Sequence, residues 1–419
     1  MRCRMVEGKI IKFYREKAGI TQGQLVGGIC SVTHLSKIER GITEYSEEIT
    51  YLVSKKLKIS LEDEKERYEM LRQKLNLWHE ALVMQETKES ERLKSEIEND
   101  IFIELQDFQV FYQLLLARYY LSQHKLDSAL VIIKELQKKE TSFSPQDRNM
   151  LKHVQGIYYF LTGKYRDCIQ ILISIDQSQY NQYEYYYHLA LAYHTVQANI
   201  ISYYYAEKVL DYFQKTLNIK RVIDTEMIMI IQLNSKEHHD FIETKERYEQ
   251  LIRTCDIILD IGRKSKLLHN LAFELYRRKK YKEAADFYQQ AMNITDESAT
   301  HYLTGLDGYI STCYKGNLLS KERLMELANK GLKLANSTNS TLWISFQLQL
   351  YQLNEEEDKY YQFIESTVLP HLNHIGYNML IKHYEKKLFH YYVKKGELQK
   401  GLEFAHSYMQ EKKRTLDDE

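Results

Sequence analysis

The stretch LLHNLAFELYRRKKYKEAADFYQQAM, residues 267–292, decides how most of this chain folds. Small Ala272 lies where one helix must approach its neighbours, and Leu275 follows three residues on, the spacing of one helical face. Tyr281 opens a second helix. Ala284 is its small crossing residue, and Tyr288 and Ala291 finish the pattern. Two helices are predicted, close-packed through alanines and keyed by larger side chains.

The same offsets recur along the chain. One copy has Ala117, Tyr120, Leu126 and Ala129, and another has Gly156, Tyr159, Tyr165 and Cys168. A degenerate last copy has Phe389, Tyr392, Leu398 and Gly401. Weaker pairs fall near 183–215, 225–258, 301–335 and 341–370, which makes about eight helix pairs. This order of small and large residues resembles the tetratricopeptide repeat. The resemblance implies a superhelix over 106–415, with a concave groove lined by the first helix of each pair, a natural seat for a peptide.

Composition agrees with an all-α chain. Its 419 residues are 44% hydrophobic and include only two prolines, Pro145 and Pro370, too few turn formers for a sandwich or barrel. The thirty-five tyrosines, including the clusters YEYYYH and SYYYA, read as inter-helix packing and groove wall. Five scattered cysteines (Cys3, Cys30, Cys168, Cys255, Cys313) contain no C-x-x-C pair, so neither a disulfide framework nor a zinc site is expected. No apolar run approaches the ~20 residues that span a bilayer, and the N-terminus lacks a signal-peptide core. A cytoplasmic protein without a membrane partner is expected. His371 with His374, and His238 with His239, lack a zinc ligand set. No phosphate-cradling loop or nucleophile elbow appears. No metal, cofactor or enzyme activity is expected.

Charge is uneven. Residues 1–61 hold eleven Lys and Arg against six Asp and Glu, while the remainder holds 47 against 52. A basic head on a mildly acidic body predicts that the head alone meets a polyanion. In that head, Gly19 stops a first helix, and Thr21 with Gln24 forms a capping box for a second over Gln22–Gly28. Ser31 caps a third that ends at Gly41, and Ser46 caps a fourth. Leu25, Ile29, Leu35 and Ile38 point inward, which leaves Thr33, Lys37 and Arg40, at spacings of four and three, on one exposed face. Such a face fits the major groove of double-stranded DNA.

TQGQL…SVTHLSKIERG resembles the helix-turn-helix of the phage-repressor and Xre type, with its second-helix T-Q and its closing Leu35-Ser36-Lys37-Ile38-Glu39-Arg40-Gly41. The resemblance implies phosphate contacts from Thr21, Gln22 and Ser31, and base reading from Val32, Thr33 and Lys37, with Arg40 on the same face. The predicted organisation is therefore a helix-turn-helix domain at 1–62, a helical connector at 63–105 (a long helix pair or a hinge) and a repeat domain at 106–415.

Head and body together resemble the Rap–Rgg–NprR–PlcR–PrgX family of quorum-sensing receptors, and GICSVTHLSKIERG with the long body is similar to its NprR-like branch. The resemblance implies a transcription regulator switched by a short imported signalling peptide in the groove, acting as a homodimer or tetramer. It also implies Asn270, Asn234 and Asn149 on first helices as holders of the peptide backbone, and Arg118 as a bidentate partner for a peptide carboxylate. Two alternatives stay open: a protein that sequesters a response regulator of a sporulation phosphorelay, and a constitutive dimeric repressor without ligand.

Overall fold

The computed structural model describes residues 2–42, 46–233, 241–297, 299–375 and 378–405, and these contain helices and no strand. They form two compact units. One runs to residue 158 and includes 174–181; the other comprises 159–173 and the chain from 182 onward.

The first unit opens with α1 (Arg2–Lys17), α2 (Gln22–Val26), α3 (Val32–Glu39) and α4 (Glu47–Leu57). The caps are those the sequence predicts. Thr21 Oγ1 accepts from the Gln24 N–H at 3.2 Å, and Gln24 Oε1 accepts from the Thr21 N–H at 2.7 Å. Ser31 Oγ accepts from the His34 N–H and Ser46 Oγ from the Ile49 N–H. α2 is two residues shorter than expected. Gly28 takes a left-handed φ of 83°, which ends the helix and turns the chain into α3. Ile11, Leu25, Val26, Leu35, Ile38 and Val53 form the core, and Leu61 extends it into the next helix.

The connector is a helix pair, α5 (Leu61–Met84) and α6 (Thr87–Glu98), joined by a buried hydrogen bond from Trp78 Nε1 to Ser90 Oγ at 2.9 Å. It is bolted to both neighbours. Lys65 reaches Glu7 of α1 at 2.6 Å, and the Tyr68 hydroxyl donates to Asp107 of α7 (Gln106–Ser122), which Lys9 of α1 also reaches. Phe13, Tyr14 and Tyr68 pack edge-on around fully buried Phe102. The segments 1–62 and 63–105 and the first repeat helix thus share one packed body. α8 (Leu126–Gln137) and α9 (Pro145–Leu161) follow.

α10 (Tyr165–Ile173) and the later pairs belong to the second unit. They are α11 (Tyr185–Thr195) with α12 (Asn199–Lys215), α13 (Ile219–Leu233) with α14 (Phe241–Ile257), α15 (Ile261–Arg277) with α16 (Tyr281–Asn293), and α17 (Thr300–Gly316) with α18 (Lys321–Ser337). α19 (Trp343–Leu353) pairs with α20 (Glu357–Phe363), which passes through one π turn into α21 (Leu369–Ile375). Pro370 lies just after that turn; its ring and missing N–H oppose regular α-helical bonding there. α22 (Asn378–Lys395) and a further helix over 398–405 complete the described chain.

The repeat key works as spacing predicts. Leu271, Ala272, Leu275, Ala284 and Ala291 are fully buried, and Tyr288 nearly so. Tyr185, Tyr186 and Tyr187 are buried in succession, as the packing reading requires. Charged side chains stitch successive first helices. Arg263 grips Asp224 with two bonds, 2.9 and 2.7 Å, and reaches Asp260; Arg221 bonds Glu184 at 2.8 Å.

Two glycines of opposite character give a test. A Cβ on Gly331 would sit 2.3 Å from a ring carbon of fully buried Phe346, whereas one on exposed Gly262 would meet nothing closer than 3.7 Å. Gly→Ala in a helix normally stabilises by about 1 kcal/mol, and overpacking costs about 1–3 kcal/mol. Gly262→Ala should therefore raise the chemical-denaturation midpoint and Gly331→Ala lower it. Equal shifts from both would refute the close α18–α19 approach.

Candidate nucleic-acid and peptide sites

α3 carries the candidate DNA face. Val32, Thr33, Lys37 and Arg40 are exposed, while Leu35, Ile38 and Glu39 on its other side are buried. Lys37 and Arg40 are exposed and have no ion pair among the described residues. Thr21 and Ser31 use oxygen lone pairs as caps, and neither cap bond uses the hydroxyl hydrogen. One Gln22 amide hydrogen goes to Glu39 Oε2 at 2.8 Å, which fixes the direction of that side chain and leaves the second hydrogen.

Glu39 is the residue that reading for exposed positions missed. Arg15 of α1 grips it with two bonds, Nε to Oε1 at 2.6 Å and Nη2 to Oε2 at 3.0 Å, and a third Arg15 N–H reaches the Ile20 carbonyl. Bonding to Glu39 makes the Arg15 guanidinium still harder to deprotonate. The clamp ties α1, the start of α2 and the end of α3 together, and so holds the exposed face. The signal was present in the sequence: an acid beside Ile38 on the apolar side of a short helix.

The expected peptide contacts are placed differently from one another. Asn270 is half-buried on α15 and makes no side-chain bond among the described residues. It lies one turn before exposed Phe273, whose ring stacks on Tyr276. Asn149 is buried, and one amide hydrogen and one oxygen lone pair are used inside the first unit. Nδ2 donates to the Pro145 carbonyl at 3.0 Å, and Oδ1 accepts from the Asp176 N–H at 3.1 Å. That geometry makes it a brace for the 174–181 turn. Arg118 is 6% exposed, embedded in α7 rather than presented on an open surface. Asn234, His238 and His239 lie outside the described residues.

Spacing alone did not disclose a cavity of about 560 Å³ in the second unit. α15, α17 and α19 supply Tyr276, Ser311, Lys315 and Gln349, and Tyr360 and Lys387 close it from α20 and α22. Among the described residues, no group of three or more His, Cys, Asp or Glu is placed to hold a metal, and no helix is long and apolar enough to cross a membrane.

No family model matches the chain. In sequence it is 22% identical over 397 residues to the transcriptional activator NprA of Geobacillus stearothermophilus, covering 91% of this chain and 97% of NprA. In structure it matches the apo form of the quorum sensor NprR from B. thuringiensis with a TM-score of 0.64 and 19% identity, over 82% of this chain and 98% of that one. A Rap protein complexed with competence and sporulation factor matches with a TM-score of 0.69 and 17% identity, over 84% and 100%. These two structures share the all-helical fold built from stacked helix pairs. Two features bear together on kinship: the match to NprA runs nearly end to end, and the fold is common to NprR and Rap. In sequence this chain is similar to NprA nearly from end to end, and in fold to NprR and a Rap protein, proteins of the kind that the head-and-body resemblance names.

Proposed function

We propose that this chain is a cytoplasmic quorum-sensing transcription regulator, in which the head binds duplex DNA and a short imported peptide bound by the repeats sets that binding. The observation that carries the reading is the exposed Thr33–Lys37–Arg40 face on a helix clamped by Arg15 and Glu39. Lys37 reads guanine acceptors, Thr33 and Val32 meet a thymine methyl, and Thr21, Gln22, Ser31 and Arg40 hold phosphates. Asn270 is the first choice for the peptide backbone, with Asn234 and Arg118 as expected contacts. Kinship with a transcriptional activator along 91% of the chain supports the DNA role, and the fold shared with NprR, also solved with its cognate peptide NprX, supports the peptide role. The peptide acts by binding one arrangement of the homo-oligomer better than another, because only differential affinity shifts a population. The spacing of two heads then selects the half-site spacing.

A second reading, sequestration of a response regulator, is favoured by 23% identity over 283 residues to response regulator aspartate phosphatase I of Bacillus subtilis, 59% of this chain and 66% of that one.

The test exposes the full chain to a pool of random duplex DNA, with and without the small-peptide fraction of its host's spent medium, and then weighs it by native mass spectrometry. Enrichment of paired half-sites together with a retained peptide mass is expected. A folded chain that enriches no sequence under either condition would transfer the case to the sequestering protein. Enrichment without any retained mass would point to a constitutive repressor.

A further inference from the structure

The second-unit cavity holds an unusual combination of polar groups. Lys387 is half-buried in its wall, where Nζ donates to the Tyr360 hydroxyl at 2.8 Å and lies over the Tyr360 and Tyr384 rings at 5.4 and 5.6 Å. It has no carboxylate partner among the described residues, and neither does Lys315 at the same cavity. The acids on that rim are already matched: Glu355 with Lys321, Glu356 with Lys359 and Glu357 with Lys394. On the opposite helix, Gln349 Nε2 is spent on Asp307 and Ser311, and Ser345 also donates to Asp307. Gln349 Oε1 is left buried with no hydrogen-bond partner. One side of the cavity therefore offers a cation lacking an anion, and the wall at Gln349 holds a buried acceptor lacking a donor.

A terminal peptide residue presents the complement of both: an α-carboxylate, and a backbone N–H a few bonds away. From this geometry we infer that the cavity between α15, α17, α19 and α22 captures the free C-terminal carboxylate of the peptide. Lys387 is the anchor, Lys315 gives long-range attraction, and Gln349 Oε1 accepts the terminal amide N–H. Tyr276 and Tyr360 wall in the last side chain. The inference rests on the peptide-receptor reading and adds where the chain end sits and what is read there. Burial lowers the Lys387 pKa, because the ammonium is desolvated without a counter-charge. An incoming carboxylate supplies that counter-charge.

The test uses two pools of random seven-residue peptides, identical except that one carries a free C-terminal acid and the other a C-terminal amide. The full chain is mixed with each, and retained peptides are counted by mass spectrometry after gel filtration. The wild type should retain at least about tenfold more from the acid pool. Lys387→Met, which keeps the apolar stem between the two tyrosines, should erase that preference, and Lys387→Arg should keep it. Equal retention of both pools by the wild type would overturn the carboxylate site while leaving the peptide receptor standing. An acid preference that survives in Lys387→Met would place the anchor elsewhere and overturn it too. Retention of neither pool would remove both readings.

Discussion

Glu39→Ala should unlock the head and abolish DNA binding without touching the exposed face of α3. Glu39 is 6% exposed, and the Arg15 side chain is only 11% exposed. Truncation leaves a largely buried guanidinium with only the half-exposed Glu16 carboxylate, 3.2 Å from Nη2, to answer it, and removing one partner of a buried pair costs up to about 3–5 kcal/mol. The Ile20 carbonyl that still accepts from Arg15 is a neutral partner and offsets little of this. Gln22 also loses the acceptor that directs its amide at the start of α2. The head is small, so this is a large share of its stability. Hydrogen exchange of amides over 20–41 is the readout, and they should exchange far faster than in the wild type. Arg15→Met combined with Glu39→Ala should recover much of the loss, because then no charge is stranded. Unchanged exchange in Glu39→Ala would show that the clamp carries no weight.

The parts legible in the sequence were local. Thr21 with Gln24, Ser31 and Ser46 cap helices through bonds that span three residues, and that spacing is visible in a string of letters. The alanines at 272, 284 and 291 were legible because they recur at a fixed offset from Leu275 and Tyr288. What escaped depended on contacts across the fold. Arg15 meets Glu39 from 24 positions away, and although an acid on the apolar side of α3 calls for a partner, nothing local names Arg15 as that partner. Gln349 meets Asp307 from 42 positions away, so the donor-depleted amide in the wall of the Lys387 cavity becomes visible only once α17, α19 and α22 are stacked. Asn149 shows the reverse failure. An asparagine on a first helix has the right chemistry for a peptide backbone, but this one is 5% exposed and already gives one hydrogen to Pro145 and one lone pair to Asp176. Residue type proposes a role, and the neighbours decide whether the functional atoms are still available.

Availability is why the second large effect belongs to Lys37 and Arg40. Neither belongs to the core: both are exposed and have no ion pair among the described residues, while Leu35 and Ile38 are the buried residues of this helix. Lys37→Ala with Arg40→Ala should thus leave exchange over 20–41 and peptide retention as in the wild type. DNA affinity should fall steeply. A base contact from Lys37 is worth about 1–3 kcal/mol, and a phosphate contact from Arg40 adds a counterion-release contribution. Together they predict a loss of roughly 100-fold or more on the selected duplex, larger if two heads bind at once. The two residues should also separate. Lys37→Ala should relax sequence preference at one base position, whereas Arg40→Ala should weaken all sequences alike and reduce the slope of log affinity against log salt by about one per head. Fluorescence anisotropy across a salt series measures both. Full affinity in the double variant would mean that α3 does not meet DNA through this face, and the head would then have to be read as a protein-binding element.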